Sequence, residues 1–317
     1  MTNKHVISLG GACWDTVFQL ERMPTAGVKA LPLKAVQRAA GMAVNAAVAM
    51  SRLGMNVHMW TRIGDDETGK QFMQEMQRER INADGVRVLA GVQTSFSSIL
   101  VDMSGERTLV PFFDPNISPD ASWLPLDKVA QAGAVLVDMR WMAGAAAALK
   151  QARACGVPGI LDADTAPAQD LHALIPLASH VLFSESALSI VAPGMSPEAA
   201  LLEVARQNTA EVVGVTLGPQ GAWVWTRESG LVLKVSAPVV KAVDTLGAGD
   251  VWHGAFAWGL VTGLPMPDIV QWANLAAAMK CEVFGGVTGT PTWAQLQARA
   301  ASETETLRVF TDYLKTN

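Results

Sequence analysis

Asp244-Thr245-Leu246-Gly247-Ala248-Gly249-Asp250 joins a predicted strand to the helical run Val251 to Leu260. Gly247, Ala248 and Gly249 leave their backbone N–H groups uncovered at a helix N-terminus, where unpaired donors and the partial positive charge favour a phosphate-like anion. Asp250 puts a carboxylate beside that anion hole. A carboxylate repels a bound anion at rest, so its presence makes chemical sense if it takes a proton from a hydroxyl attacking phosphorus. The plainer alternative is that Asp250 only favours the helix start, as Asp often does.

Outward from this turn, short β-type runs alternate with longer helical ones. Val6 to Leu9, Val57 to Trp60, Val135 to Val137, Gly159 to Leu161, Val181 to Phe183 and Val212 to Thr216 read as buried strands. Ala43 to Leu53, Lys70 to Arg80, Ala143 to Cys155 and Pro197 to Gln207 have helical spacing, as do Pro267 to Val283 and Trp293 to Leu314 around a Gly-rich break at residues 285–289. The alternation predicts an α/β fold with a mostly parallel sheet covered on both faces. Thr16 to Arg38 and Ser95 to Phe113 interrupt it with strand-like residues and no helix, and Ser104-Gly105-Glu106-Arg107 looks like a hairpin turn. With no repeat or linker in view, residues 1–317 read as one domain carrying a small β-lid at about 16–38 and 95–113.

Composition narrows the partners. Among 317 residues, 24 Lys and Arg face 29 Asp and Glu, for a net charge of −5, and half the chain is hydrophobic, which excludes disorder. Every long apolar run is broken well short of a membrane span of about 18 residues. Met1-Thr2-Asn3-Lys4-His5 leads into too short an apolar run for a secretory signal, so a cytoplasmic location is expected. Without Lys/Arg runs, neither nucleic acid nor an anionic membrane is an expected partner. Cys13, Cys155 and Cys281 fit neither a disulfide framework nor a metal spacing and are expected as buried thiols.

A phosphoryl-transfer reading requires a nucleotide site, and neither GxxxxGK[ST] nor an HRD and DFG set is present. Thr216-Leu217-Gly218-Pro219-Gln220-Gly221 follows a strand, and its glycines allow close backbone approach to a diphosphate, although a Gly-Pro turn is also an ordinary hairpin. Gly10-Gly11-Ala12-Cys13-Trp14-Asp15 follows the first strand, where a carboxylate can accept from sugar hydroxyls. Ala40-Gly41-Met42-Ala43-Val44-Asn45 makes a second Gly turn, and Asn45 both donates and accepts, which suits a polyol. Each is also explicable as a turn followed by a helix cap.

Together these segments resemble the ribokinase, or PfkB, family of carbohydrate kinases over nearly the full length. Asp244 to Asp250 is similar to that family's DTxGAGD signature and Gly41 with Asn45 to its GGxxxN signature; Gly64-Asp65-Asp66-Glu67-Thr68-Gly69 and Thr216 to Gly221 match further elements. The resemblance implies a three-layer α/β/α sandwich of eight or nine strands with a β-lid over the sugar. It makes Asp250 the catalytic base, the amides of Gly247, Ala248 and Gly249 the anion hole, and Asp15, Gly41 and Asn45 the holders of sugar hydroxyls. Thr216, Gly218 and Gly221 would line the phosphates of ATP, the donor as Mg-ATP, while the helix from Asn274 to Cys281 and the Gly285-Gly286 turn would border adenine. Where the family usually has Asn-x-x-Glu, this chain has Ser184-Glu185-Ser186-Ala187, which leaves Glu185 to reach a hydrated Mg²⁺. Parts of the family also carry a potassium site near Asp244. A non-catalytic sugar- or nucleotide-sensing relative is the alternative.

Asp138-Met139-Arg140-Trp141 closes a strand, which brings Arg140 to the ligand edge, where its donor fork suits a carboxylate, phosphate or sulfonate unless it pairs with Asp138, Asp162 or Asp164. Lys29 in the lid could add a second positive charge. Val135 to Asp164 and Phe183-Ser184-Glu185 resemble the family branch that phosphorylates 6-deoxy-6-sulfofructose on its 1-hydroxyl, which implies that Lys29 and Arg140 contact the sulfonate. A lid Asn of that branch aligns near Pro111, which has no donor, with Asn116 close by. The other expected substrate is a neutral sugar, as for a ribokinase or fructokinase. Val28, Leu31 and Leu33 in the lid predict a homodimer formed through it.

Overall fold

A computed structural model of the chain describes residues 4–302. The first strand, β1 (His5–Leu9), is an interior strand of a nine-stranded sheet, third from one edge. The other members are β4 (Asn56–Gly64), β5 (Asn82–Leu89), β8 (Ala132–Val137), β9 (Gly159–Ala163), β10 (His180–Ser184), β11 (Val212–Thr216), β12 (Ala222–Thr226) and β13 (Val232–Val235). Their order is β13-β12-β11-β10-β9-β8-β1-β4-β5, and all pairs are parallel except β11 with β12 and β12 with β13.

Strand periodicity sorts the residues between two cores. Val6, Leu136, Ile160 and Leu182 point to one face, where they meet α1 (Met42–Arg52), α2 (Glu67–Arg78), α7 (Ala248–Val261), α8 (Met266–Cys281) and α9 (Trp293–Ser302). Their neighbours Ile7, Val137, Leu161 and Phe183 point to the other, against α3 (Met142–Ala154), α4 (Ala168–Leu174), α5 (Glu185–Val191) and α6 (Pro197–Gln207). Both faces of a parallel sheet are thus apolar, and helices must cover each. This is the expected α/β/α sandwich. The last predicted helix lies beyond the described residues from position 303 on.

The lid strands form a separate sheet in the order β3-β2-β6-β7, from β2 (Cys13–Leu20), β3 (Lys34–Ala40), β6 (Phe96–Asp102) and β7 (Arg107–Phe112). Asp102 shapes the hairpin between β6 and β7 by accepting from the amides of Ser104 and Glu106 and the Ser104 hydroxyl, while Gly105 takes a left-handed φ of 86°. The inner residues Val17, Ile99 and Val101 pack with Leu246 and Phe284, so the sheet closes over the turn that precedes α7.

Three sequence expectations need correction. No strand precedes Asp244: β13 ends at Val235, and the amides of Val243 and Asp244 both donate to the Cys281 carbonyl at the end of α8. The apolar run there is therefore an extended strap held by a helix end. The strands β5, β12 and β13 escape a search for buried apolar runs because each lies at or beside a sheet edge and exposes part of its length. Cys13, Cys155 and Cys281 are free thiols, but each is only partly buried.

Candidate active site

The site gathers where the strands of the large sheet end and the lid begins. Gly247, in a left-handed turn of φ 75°, caps α7 and lets the chain swing from the strap into the helix. The first helical residues are Ala248, Gly249 and Asp250; the Ala248 amide donates to the Thr245 carbonyl at 3.3 Å, which leaves those of Gly249 and Asp250 as the open donors of the first turn beside the Asp250 carboxylate. A Cβ built on Gly249 would meet nothing within 4 Å, which leaves the approach to those amides open.

Asn45, in the second turn of α1, donates through Nδ2 to Asp250 Oδ2 at 2.7 Å. Its Oδ1 is buried and has no hydrogen-bond partner among the described residues, so it faces the site as a free acceptor. Close approach of the two helices makes this contact. Gly254 of α7 lies so near Ala46 that a Cβ on it would sit 2.5 Å from the Ala46 carbonyl oxygen. Burial raises the pKa of Asp250 to about 7, helped by the charges of Asp164, Asp138 and Asp15 and opposed by the Asn45 hydrogen bond. A carboxylate tuned to this range is suited to take a proton near neutral pH.

The turn before α7 stands between two recesses. On one side a cavity of about 300 Å³ is lined by Thr216, Gly218, Gly221, Ala248, Gly249 and Asn274. Pro219, Pro238, Val240 and Ala277 add apolar walls fit for a planar ring. Thr216 and Gly218 lie on the connection between the antiparallel strands β11 and β12, so this segment is both a hairpin turn and a cavity wall. Gly221 takes φ 89°, and a Cβ on it would fall 2.0 Å from the Val235 carbonyl oxygen. Asn274 turns its amide away from any ligand: Oδ1 accepts from Trp252 Nε1 at 2.8 Å, and Nδ2 donates to the carbonyls of Val235 and Ser236. It holds the cavity wall in place.

On the other side a narrow recess is lined by Asp15, Arg38, Asn45, Leu246, Gly285 and Gly286. Asp15 bonds to the Cys13 thiol, and burial raises its pKa. Gly41 supports this recess from outside its lining. With φ 114°, it caps α1, and a Cβ there would lie 2.3 Å from the Gly11 carbonyl oxygen. Gly286 is not in the large cavity, contrary to the expectation that it borders adenine. Its amide and that of Gly285 both donate to Asp244 Oδ2, and this draws the turn onto the lid side.

The two expected anion contacts are apart from this recess. Arg140 pairs with Asp164 at 2.9 Å and donates to the Thr165 carbonyl, one of the pairings its neighbours allowed. Lys29 lies on the exposed loop between β2 and β3 and makes no hydrogen bond or ion pair among the described residues. Asn116 spends its amide on Asp114. Glu185 is exposed at the start of α5, one residue past Ser184, which pairs in register with Thr216. Among the described residues no group of three or more His, Cys, Asp or Glu side chains is arranged to hold a metal ion.

Two carboxylates escaped the sequence reading as site builders. Asp138, fully buried, accepts from the amides of Gly11, Ala43 and Arg140 and so ties the first loop, α1 and β8 together. Gly10 makes room for it, since a Cβ there would lie 2.1 Å from the carboxyl. Asp162 lies 3.2 Å from Nδ1 of His253, which also meets the Gly249 carbonyl at 2.8 Å and so braces the first turn of α7. An acidic residue at the end of each of two neighbouring parallel strands was the available signal.

Comparison with known proteins agrees with this geometry. Residues 3–293 match the family model described as pfkB family carbohydrate kinase. The ribokinase of Bacillus subtilis is 27% identical over 293 residues, spanning 91% of this chain and 97% of that protein. A crystal structure of a protein from Agrobacterium tumefaciens superposes with a TM-score of 0.91 at 37% identity, covering 96% of this chain and all of that one. Arabidopsis thaliana ribokinase, complexed with ribose and ATP, shares the fold with a TM-score of 0.78 at 22% identity over 94% of this chain and 98% of its own.

Proposed function

The chain belongs to the pfkB family of carbohydrate kinases, and from that premise we propose that it transfers the γ-phosphoryl group of ATP to a primary hydroxyl of a small sugar held under the lid. The observation that carries this reading is the Asn45–Asp250 contact at the turn between the two recesses. ATP would occupy the large cavity with its phosphates beside Thr216, Gly218 and Gly221, and Glu185, which follows the register partner of Thr216, would meet the hydrated Mg²⁺ that the nucleotide carries. The open amides of Gly247 and Gly249 hold the transferring phosphoryl group, and Ala248, whose amide donates to the Thr245 carbonyl, shapes the turn that presents them. Asp15 and Asn45 orient the sugar, and Gly41 shapes its floor. As the sugar oxygen bonds to phosphorus and the bond to ADP breaks, the hydroxyl proton passes to Asp250. Asp250 thus removes charge from the attacking side while the anion hole collects it on the other.

For the sugar we propose a ketohexose with an anionic group at carbon 6, with 6-deoxy-6-sulfofructose the leading candidate and its 1-hydroxyl the acceptor. Arg140 supports this: its side chain is 39% exposed and its partner Asp164 34%, so an incoming sulfonate can compete for the fork. The intact Arg140–Asp164 pair favours the second reading, a neutral sugar. Release of ADP with Mg-ATP and a panel of neutral, phosphorylated and sulfonated sugars tests the activity. Arg140→Ala separates the two readings: a steep rise of KM for the anionic sugar alone supports the first, and unchanged kinetics on every accepted sugar rejects it. If no sugar stimulates ADP release, the kinase reading fails and a binding role takes its place.

A further inference from the structure

Lys280, in the last turn of α8, has no exposed surface. Its Nζ donates to the Asp244 carbonyl oxygen at 2.6 Å and lies 3.6 Å from Asp244 Oδ1. The rest of the Asp244 carboxylate is spent on backbone: Oδ1 accepts from the Leu246 amide, and Oδ2 from the amides of Gly285 and Gly286. The buried ammonium therefore ties the end of α8 to the strap entering the anion turn, and the Asp244 carboxylate beside it holds the turn that lines the sugar recess. A carbonyl and a carboxylate oxygen converging on one buried point form the donor set of a small monovalent cation. Potassium near Asp244 does not fit, because the ammonium already occupies the point where the two oxygens converge, donating to the carbonyl at 2.6 Å and lying 3.6 Å from Oδ1, and a second positive charge would lie against it.

We propose that the Lys280 ammonium is a built-in monovalent cation, and that this chain keeps its anion turn in order without potassium. Burial lowers the Lys280 pKa, and the Asp244 carboxylate opposes that shift by favouring the charged amine. The consequence for turnover rests on the kinase reading above; the consequence for stability does not.

Thermal unfolding midpoints and initial rates are measured in potassium, sodium, ammonium and tetramethylammonium chloride at equal ionic strength. The wild type is expected to show rates within about two-fold and midpoints within about 1 °C across the four salts, since a ligand shifts stability only where it binds the folded state. A rate about ten-fold higher in potassium than in tetramethylammonium, or a midpoint raised only by potassium, overturns the proposal. In Lys280→Ala the vacated oxygens should bind an added cation, so potassium, ammonium or methylammonium raises the lowered midpoint and tetramethylammonium does not. Lys280→Met, which fills the space without charge, should show no such recovery. A folded Lys280→Ala protein that no small cation stabilises overturns the proposal, and if that variant does not fold the wild-type series decides. A wild type inactive in every salt counts against the kinase reading and leaves the midpoints to judge this one.

Discussion

Asn45 reaches from α1 to the first turn of α7 and donates through Nδ2 to Asp250 Oδ2 at 2.7 Å, a contact between residues 205 positions apart. The bond favours the ionised form of a carboxylate that burial drives towards neutrality. Asp250→Asn should lower kcat by about 10²–10⁴-fold while KM for ATP changes little, because the substitution removes a proton acceptor and leaves the anion turn intact. Steady-state kinetics with both substrates varied check this.

The same carboxylate sets the pH profile. With its pKa raised to about 7, activity should rise with pH through that value as the base loses its proton. Asn45→Ala withdraws the donor that favours the charged form, so the acid limb of kcat/KM should move to higher pH. An acid limb that stays in place would show that another group controls it.

Stability should run the opposite way. Between the ordinary carboxylate value of 3.8 and about 7, the folded state binds more protons at Asp250 than the unfolded state, so this group's contribution falls as pH rises through that window. Asp250→Asn removes the cost of a buried charge and should raise the unfolding midpoint at pH 8 more than at pH 5. Calorimetry at the two values tests the sign.

Gly254→Ala tests the approach of the helices. The added methyl would meet the Ala46 carbonyl oxygen and the Ala49 side chain, at 2.5 and 2.9 Å. Forcing α7 away from α1 should cost about 1–3 kcal/mol of stability and should also reduce kcat, since Asn45 immediately precedes Ala46. Denaturant unfolding and turnover, measured on the same preparation, separate the two effects.

Asn274→Leu should raise KM for ATP with little change in KM for the sugar, because it releases the 235–236 segment and Trp252 from the wall of the large cavity alone. Equal rises in both constants would place Asn274 elsewhere in the scheme.

The lid carries a further prediction. Leu31, Val110 and Phe113 are 77%, 60% and 59% exposed, and every residue of β7, which pairs only with β6, is exposed. A second copy pairing over this sheet would cover them. Light scattering at micromolar concentration should give twice the chain mass of 33.6 kDa, and Val110→Lys should halve it; a wild-type mass of one chain rejects the dimer.

What could be read from the sequence is local. Continuous apolar runs in Val6–Leu9 and Val212–Thr216, helical spacing in Ala43–Leu53, and the glycines of the 244–250 turn each act over a few residues, so the sheet, its coverage and the turn before α7 are legible in the sequence. Edge strands such as β13 were hidden because they are only half buried. The strap before Asp244 imitates a strand because its apolar residues carry no information about its partner, the Cys281 carbonyl at the end of α8.

The pairing of distant groups was decided by the tertiary structure alone. Nothing near Arg140 in sequence chose Asp164 over Asp138 and Asp162; the end of β9 placed one carboxylate within reach of the guanidinium, while backbone amides had already claimed Asp138. Gly286 lines the narrow recess because Asp244 holds its amide, and Lys280 is buried against the Asp244 carbonyl because α8 ends beside that same residue. Local propensity depends on neighbours along the chain, whereas these contacts depend on how closely helices and strands can pack, and that distance is set by side chains far apart in sequence, as Gly254 against Ala46 shows.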